Sequence, residues 1–287
     1  MLRISKPFFL LAAALLSLQS CDGHKRDHYA IGGVHSVRSD APPLPSVLVG
    51  NDNVKFGFPG GNGVLLVKKY YVVLYDTTTL VPEWVTYHLS KEELKGNARR
   101  VNDFRPDSDL PVGKRSELED YRNSGYDRGH MAPAADFKRN SQAMWETFLL
   151  SNMAPQRPRL NRGIWSNLEE QVRLLAKREG DIWIFTGPLY LDSLDHRVTP
   201  QEHIGPHKVA VPTHFFKAIL CELPSGGHEM FAFIVRNQAT ELQGQPKDYL
   251  VSVHRVEESS GLNFFSALPE EEERRLESEV AASWPVQ

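Results

Sequence analysis

Hydrophobic positions recur along this chain in short blocks of strand character, broken by turn residues and by two helical stripes. Tyr70-Tyr71-Val72-Val73-Leu74-Tyr75 is aromatic and β-branched, and Trp84-Val85-Thr86-Tyr87-His88-Leu89 follows it after a Thr-rich turn. Both read as strands. Ile182-Trp183-Ile184-Phe185-Thr186-Gly187 is continuously apolar until its end, the pattern of a strand covered on both faces. Phe215 to Leu220 and Glu229 to Val235 read as a further pair, split by Pro224-Ser225-Gly226-Gly227. Ser141 is expected to cap a helix running through Ala143, Trp145, Phe148 and Leu149. A second helix carries Trp165, Leu168, Val172 and Leu175 at helical spacing and stops at Lys177-Arg178-Glu179-Gly180. This order of elements predicts an α+β fold, an antiparallel central sheet flanked by helices.

The chain opens on a different pattern. Arg3 and Lys6 precede an apolar run from Phe8 to Leu18, too short to span a bilayer with its own flanks. Residues 1–20 therefore read as a signal peptide. Leu18-Gln19-Ser20-Cys21 resembles a bacterial lipobox, which implies cleavage before Cys21, a lipid on that cysteine and anchorage to a membrane in the periplasm or cell envelope. An ordinary secretory signal is the alternative, and either exports the chain. Residues 21–46, with Ala41-Pro42-Pro43-Leu44-Pro45, read as the lipidated anchor and a flexible linker. The folded region is expected over 47–287, as one domain. The other cysteine, Cys221, lies in an apolar run, so a buried inert thiol is expected and no disulfide.

Charge narrows the function. Without residues 1–20, 31 Lys and Arg face 36 Asp and Glu, a net charge of −5 that excludes a protein coating nucleic acid by bulk charge. Residues 128–178 differ: nine Lys and Arg against four acids make this window +5, the footprint of a localised polyanion site.

Candidate chemistry falls in that window. Arg128 and His130 flank Gly129, which would let the backbone turn tightly there; on an extended segment both side chains face the same way. A cation and a base on one face suit a phosphodiester, one stabilising negative charge and the other taking a proton from water. Asn161 offers a neutral oxygen, and Mg²⁺ needs few protein ligands. Glu169 and Arg173 lie one helical turn apart. Taken singly, each has an ordinary alternative: a structural histidine, a turn or cap asparagine, an exposed ion pair. His203 and His207 are four apart, but Gly205-Pro206 between them excludes a helical zinc site. Gly60-Gly61-Asn62-Gly63 lacks the ending of a phosphate loop and reads as a hairpin turn, and Glu270 to Glu273 as a solvated acidic helix start.

Together these residues carry a family likeness. Tyr126-Asp127-Arg128-Gly129-His130-Met131-Ala132-Pro133 is similar to the signature of the DNA/RNA non-specific endonucleases, whose site is a ββα-metal finger. Leu150-Ser151-Asn152-Met153-Ala154-Pro155-Gln156, Leu160-Asn161-Arg162-Gly163-Ile164-Trp165 and Asn167-Leu168-Glu169 resemble the blocks that follow, and Val211-Pro212-Thr213-His214-Phe215-Phe216-Lys217 a later one. The resemblance covers roughly residues 60–267 and makes 47–287 the endonuclease domain. It implies cleavage of DNA and RNA to 5′-phosphate ends with Mg²⁺, or Mn²⁺ as a substitute. His130 would be the general base, Asn161 the metal ligand, and Glu169 would position water on the metal. Arg128 and Arg173 would bind the phosphate, with Arg100, or Arg99 beside it, as the upstream arginine. Asp127 would hold the metal-binding loop and Asn152 would support the site. The alternative is a non-catalytic nucleic-acid-binding lipoprotein on the same fold. A homodimer or an inhibitor protein is a partner the sequence leaves open.

Overall fold

The computed structural model describes residues 42–282 and 284–285; the signal peptide, Cys21 and most of the linker lie outside these residues. In chain order the elements are β1 (Val64–Val67), β2 (Val72–Asp76), β3 (Val81–Leu89), α1 (Leu118–Tyr121), β4 (Asp127–His130), α2 (Ser141–Glu146), β5 (Met153–Gln156), α3 (Pro158–Asn161), α4 (Ile164–Glu179) and β6 (Ile182–Leu189). They continue as β7 (His203–Ile204), β8 (Val209–Ala210), β9 (His214–Glu222), β10 (His228–Arg236), β11 (Leu250–Val251), α5 (Val253–Ser260) and α6 (Glu270–Ser278).

Seven strands form one sheet in the order β1-β2-β3-β6-β9-β10-β11, every neighbouring pair antiparallel. β6 lies at its centre and is buried along its whole length, as its uninterrupted apolar sequence requires. Side chains alternate between two cores. Ile182, Ile184, Phe215 and Ile219 face one, with Trp165, Leu168, Val172 and Leu175 of α4 packed over them. Trp183, Phe185, Phe216 and Ala218 face the other, with α5, α6 and Phe264. β3 and β6 are neighbours in the sheet, yet residues 90–181 run between them. That excursion builds the second sheet, β4 with β5, and the helices that pack it against the first core. This α+β arrangement, an antiparallel sheet with flanking helices, is the one expected.

Local boundaries differ in instructive ways. The cap of α2 is Asn140, whose Oδ1 accepts the Ala143 N–H at 2.8 Å, and the helix stops at Glu146. Ser141 is its first residue, so Phe148 and Leu149 lie beyond it. Gly60 to Gly63 enters β1 and turns no hairpin; it is held by Trp84 Nε1 donating to Gly60 O at 2.9 Å and Asn62 N–H donating to Glu83 at 2.8 Å. The acidic helix α6 is not wholly solvated. Glu273, Leu276 and Glu277 are buried on one face of it. Cys221 is buried and unpaired by any disulfide, and burial pushes its thiol well up, as an inert thiol requires.

Leu175 is fully buried between α4 and the sheet. Leu175→Ala should cost about 2–5 kcal/mol, the range for a core leucine that leaves a cavity. A urea unfolding curve with unchanged slope and a lower midpoint is the expected result.

Candidate active site

Two short strands set the first half of the site. β4 pairs with β5 in the register Asp127↔Gln156, Arg128↔Pro155, Gly129↔Ala154 and His130↔Met153. The segment is extended, so Arg128 and His130 project to the same side. Gly129 is not a tight turn. Its backbone is strand, and a Cβ there would overlap the Gln156 side chain, so the close approach of that buried amide is what requires glycine. Asn152 fixes the chain just after the histidine: Oδ1 accepts the Ala132 N–H at 2.9 Å, while Nδ2 donates to Ala132 O and Thr147 O, each at 2.9 Å.

His130 is buried against Phe148, with ring centroids 5.1 Å apart, and Phe104, at 5.6 Å. Burial, then the Arg100 charge, lower its pKa from 6.5 to about 3, against a hydrogen bond with the Arg128 backbone that raises it. The ring is therefore neutral at pH 7. Its Nε2 is buried without a hydrogen-bond partner, a free lone pair of the kind a general base needs.

α3 and α4 supply the second half. Asn161 ends α3 and donates from Nδ2 to Asp127 Oδ2 at 2.8 Å. Asp127 is held in turn by Arg162, through Nε at 2.8 Å and Nη2 at 2.6 Å. The amide of Asn161 is thus fixed through its nitrogen, which leaves Oδ1 to serve a ligand. No group of three or more His, Cys, Asp or Glu side chains that could hold a metal occurs among the described residues. A hard cation that keeps most of its waters fits this donor set, one amide oxygen with Glu169 in the same cleft. A zinc site does not; His203 lies in β7, and His207 Nδ1 pairs with Asp120 at 3.0 Å.

An open cleft of about 480 Å³ gathers these groups: Arg100, Arg128, His130, Asp127, Asn161 and Glu169 all line it, with Phe104 and Arg162. Arg100, not Arg99, faces it, its guanidinium 5.1 Å from the Phe148 ring. Arg128 stacks at 4.9 Å on Phe104. Arg173 is placed differently. Its Nη1 is bound to the buried Asp136 at 3.0 Å and it is not among the residues that line the cleft, so the structure places it behind the cleft rather than on its wall. It is also not the exposed partner of an ion pair with Glu169.

Beneath the cleft lies a charge network that sequence reasoning missed. Tyr87 donates to Asp136 Oδ2 at 2.7 Å. Lys217, only 1% exposed on β9, donates to Thr186 Oγ1 at 2.6 Å. Burial, and then Asp136, raise Glu169 to about 7, against Lys217, Arg173 and Arg100, which favour its charge. Burial brings Lys217 down to about 8, opposed by Glu169 and Asp136. The one available signal was the lysine itself, a charge on the inward phase of Phe215-Phe216-Lys217-Ala218-Ile219.

Residues 49–271 match the family model described as DNA/RNA non-specific endonuclease. "Nuclease EXOG, mitochondrial" of Danio rerio is 39% identical over 224 residues, 76% of this chain and 65% of that protein. "Nuclease C1" of Cunninghamella echinulata var. echinulata is 40% identical over 221 residues, covering 75% of this chain and 88% of that one. "Endonuclease G, mitochondrial" of Homo sapiens is 38% identical over 214 residues, 73% and 72% of the two. Among solved structures, "Crystal structure of the EndoG/EndoGI complex: Mechanism of EndoG inhibition" aligns with a TM-score of 0.71 at 36% identity, covering 80% of this chain and 96% of that one. This chain thus spans somewhat less than two thirds of the zebrafish relative and most of the fungal one.

Because the folded value of His130 lies below its ordinary one, the unfolded chain takes up a proton between pH 6.5 and about 3 that the folded chain refuses. Its contribution to stability is complete above pH 6.5 and is lost as pH falls through that window. His130→Leu should therefore lose less stability than the wild type between pH 7 and pH 4. Denaturant unfolding at the two pH values measures this, and equal losses would contradict it.

Proposed function

The chain belongs to the DNA/RNA non-specific endonuclease family, and from that premise we propose a divalent-metal-dependent endonuclease that hydrolyses DNA and RNA without sequence or sugar preference, leaving 5′-phosphate and 3′-hydroxyl ends. The observation that carries this reading is the buried, unpartnered Nε2 of His130, a residue that lines one cleft with Arg100, Arg128, Asn161 and Glu169.

His130 Nε2 takes a proton from water as the water oxygen bonds to phosphorus and the P–O3′ bond breaks. Arg128 and Arg100, held on Phe104 and Phe148, offset the charge that grows on the phosphate oxygens. Asp127 keeps the Asn161 amide in one orientation, and Arg162 keeps Asp127 in place. Glu169, as a carboxylate, orients water by accepting its hydrogen bonds. Arg173 acts from behind the cleft, neutralising Asp136 and supporting the charge of Glu169. A Mg²⁺ or Mn²⁺ ion held through Asn161 would supply Lewis-acid stabilisation of the phosphate and the leaving oxygen. Recognition centred on phosphate predicts little sequence preference and a steep dependence on salt.

The reading extends to location and partners. The basic start, the apolar run and Leu18-Gln19-Ser20-Cys21 support export with a lipid on Cys21. The likeness to a nuclease solved with its inhibitor supports a protein inhibitor as a partner for this chain.

Residues 22–287 should degrade both plasmid DNA and total RNA with Mg²⁺ and neither with EDTA. His130→Ala should lower the rate by roughly 10²–10⁴-fold, the span typical of general-base removal. Binding without cleavage under any divalent metal would favour the non-catalytic alternative. The full chain expressed in a bacterium should incorporate labelled palmitate, and Cys21→Ala should abolish the label; label retained in that variant would remove the anchor assignment.

A further inference from the structure

The side-chain amide of Asn237 engages three backbone groups, none of them near it in sequence. Asn237 follows β10, and its own N–H donates to Thr213 O at 2.8 Å, one step beyond the Arg236↔His214 pair. Its backbone therefore belongs to the end of the seven-stranded sheet. Its amide reaches out of that sheet. Nδ2 donates to Pro155 O of β5 at 3.0 Å and to Pro212 O at 2.8 Å, while Oδ1 accepts the Arg157 N–H at 2.8 Å. Both donors and the oxygen of the amide are thus engaged. The reverse orientation would set an NH₂ against an N–H, so the partners themselves fix which atom is oxygen.

Two of these partners belong to the excursion that carries the site. Arg157 is the bend between β5 and α3. Pro158 after it keeps it extended, at φ −61° and ψ 134°, and Asn237 fixes where it sits. The Arg157 carbonyl in turn accepts the Asn161 N–H at 3.0 Å. One residue thus joins the end of the main sheet to the backbone of Asn161. The Asn161 side chain is tied separately, to Asp127 of β4. A second link between α3 and the chain after β10, Arg159 with Glu241 at 3.8 Å, has both side chains more than half exposed and contributes little. The partly buried amide is the stronger constraint, because its loss leaves two carbonyls and an N–H without partners.

We propose that Asn237 is a positioning residue of this site: its amide locks the β5–α3 bend onto the end of the seven-stranded sheet and, through Arg157, sets the place at which Asn161 presents Oδ1 to a divalent cation. Asn237 touches neither cation nor phosphate. Its consequence for the cation rests on the endonuclease reading above; its hold on α3 does not.

Asn237→Ala removes all three bonds. In ¹H–¹⁵N NMR of the metal-free protein, the Asn161 side-chain amide should move from its Asp127-bound position toward that of a free amide. In a Mn²⁺ titration followed by electron paramagnetic resonance, Kd should rise roughly 10–100-fold, the span seen when an outer partner of a metal ligand is removed. Plasmid cleavage at Mg²⁺ near the wild-type Kd should fall roughly 5–50-fold, the drop in occupancy such a change brings, and added Mg²⁺ should restore most of it. A residue that only stabilised the fold would move none of these in a folded variant. An unmoved Asn161 amide in folded Asn237→Ala, or a Mn²⁺ Kd within about threefold of the wild type, overturns the inference. If circular dichroism shows that variant unfolded, Asn237→Asp takes its place. It keeps the acceptor for Arg157 and loses both donors, so smaller changes in the same direction support the inference and no change overturns it. A wild type that cleaves nothing would instead sink the endonuclease reading. The Asn161 amide, followed without metal or substrate, would still decide whether Asn237 holds α3.

Discussion

Asp136, Glu169, Arg173 and Lys217 are drawn together on the α4 side of a sheet whose two faces are both covered by core side chains. Removing any one of these charges from solvent would be prohibitive alone, and the local structure is arranged around how they offset one another. Tyr87 and Arg173 satisfy Asp136; Thr186 receives Lys217; Glu169 is left at the edge, facing the cleft. The same desolvation acts on His130 with the opposite result. Among the described residues the charge that acts on its ring is Arg100, so the imidazole stays neutral. Desolvation thus prepares a base that is free to accept a proton and a carboxylate whose charge its cationic neighbours favour.

The scaffold makes this possible through topology more than through any single contact. β3 and β6 are hydrogen-bonded neighbours, so the long connection between them must leave the sheet and return to it. On the way it lays β4 and β5 down as an antiparallel pair and then α3 and α4 as a cover. His130 sits at the end of one strand, and Asn161 and Glu169 on the helices that follow the other. Their relative placement is therefore fixed by backbone pairing and by the core beneath α4, with Asn152 clamping the chain where β4 ends. A site carried on a paired, packed excursion holds its geometry better than one carried on free loops.

Much of this was legible in the sequence because it is periodic or local. The alternation that separates Ile184 from Phe185, the stripe on α4 and the glycine after Glu179 all appear within a few residues of one another. Ordered motif blocks located the site in the same way. What stayed hidden was long-range or marginal. Asp136 meets Arg173 across 37 positions, and Lys217 meets Thr186 across 31; neither pairing has a local signature, so Arg173 read as a free phosphate ligand. The cap of α2 shifted by one because Asn140 and Ser141 are both good caps. Gly129 read as a tight turn because glycine permits turns, while its actual constraint, the amide of Gln156, comes from the partner strand.

The cleft also explains why such a site would not read sequence. Its aromatic walls, Phe104 and Tyr126, are already committed, with Arg128 over one and Arg157 over the other, and Phe148 packs behind Phe104. Phe148 supports the ring of His130 and the guanidinium of Arg100, while Phe104 supports His130 and Arg128. A wall covered in this way has little face left to stack a base, and stacking is what lets single-strand binders prefer some bases over others. The polar groups that line the cleft beside the imidazole are guanidiniums, the Ser166 hydroxyl, one amide fixed by Asp127, and the carboxylates of Asp127 and Glu169. Cations and a fixed amide oxygen suit a phosphate and its counterion, which are the same in every nucleotide of DNA and RNA. Low specificity then follows from where the aromatic rings are used: they hold the base and the arginines in a desolvated setting, and that use removes the surface on which discrimination would depend.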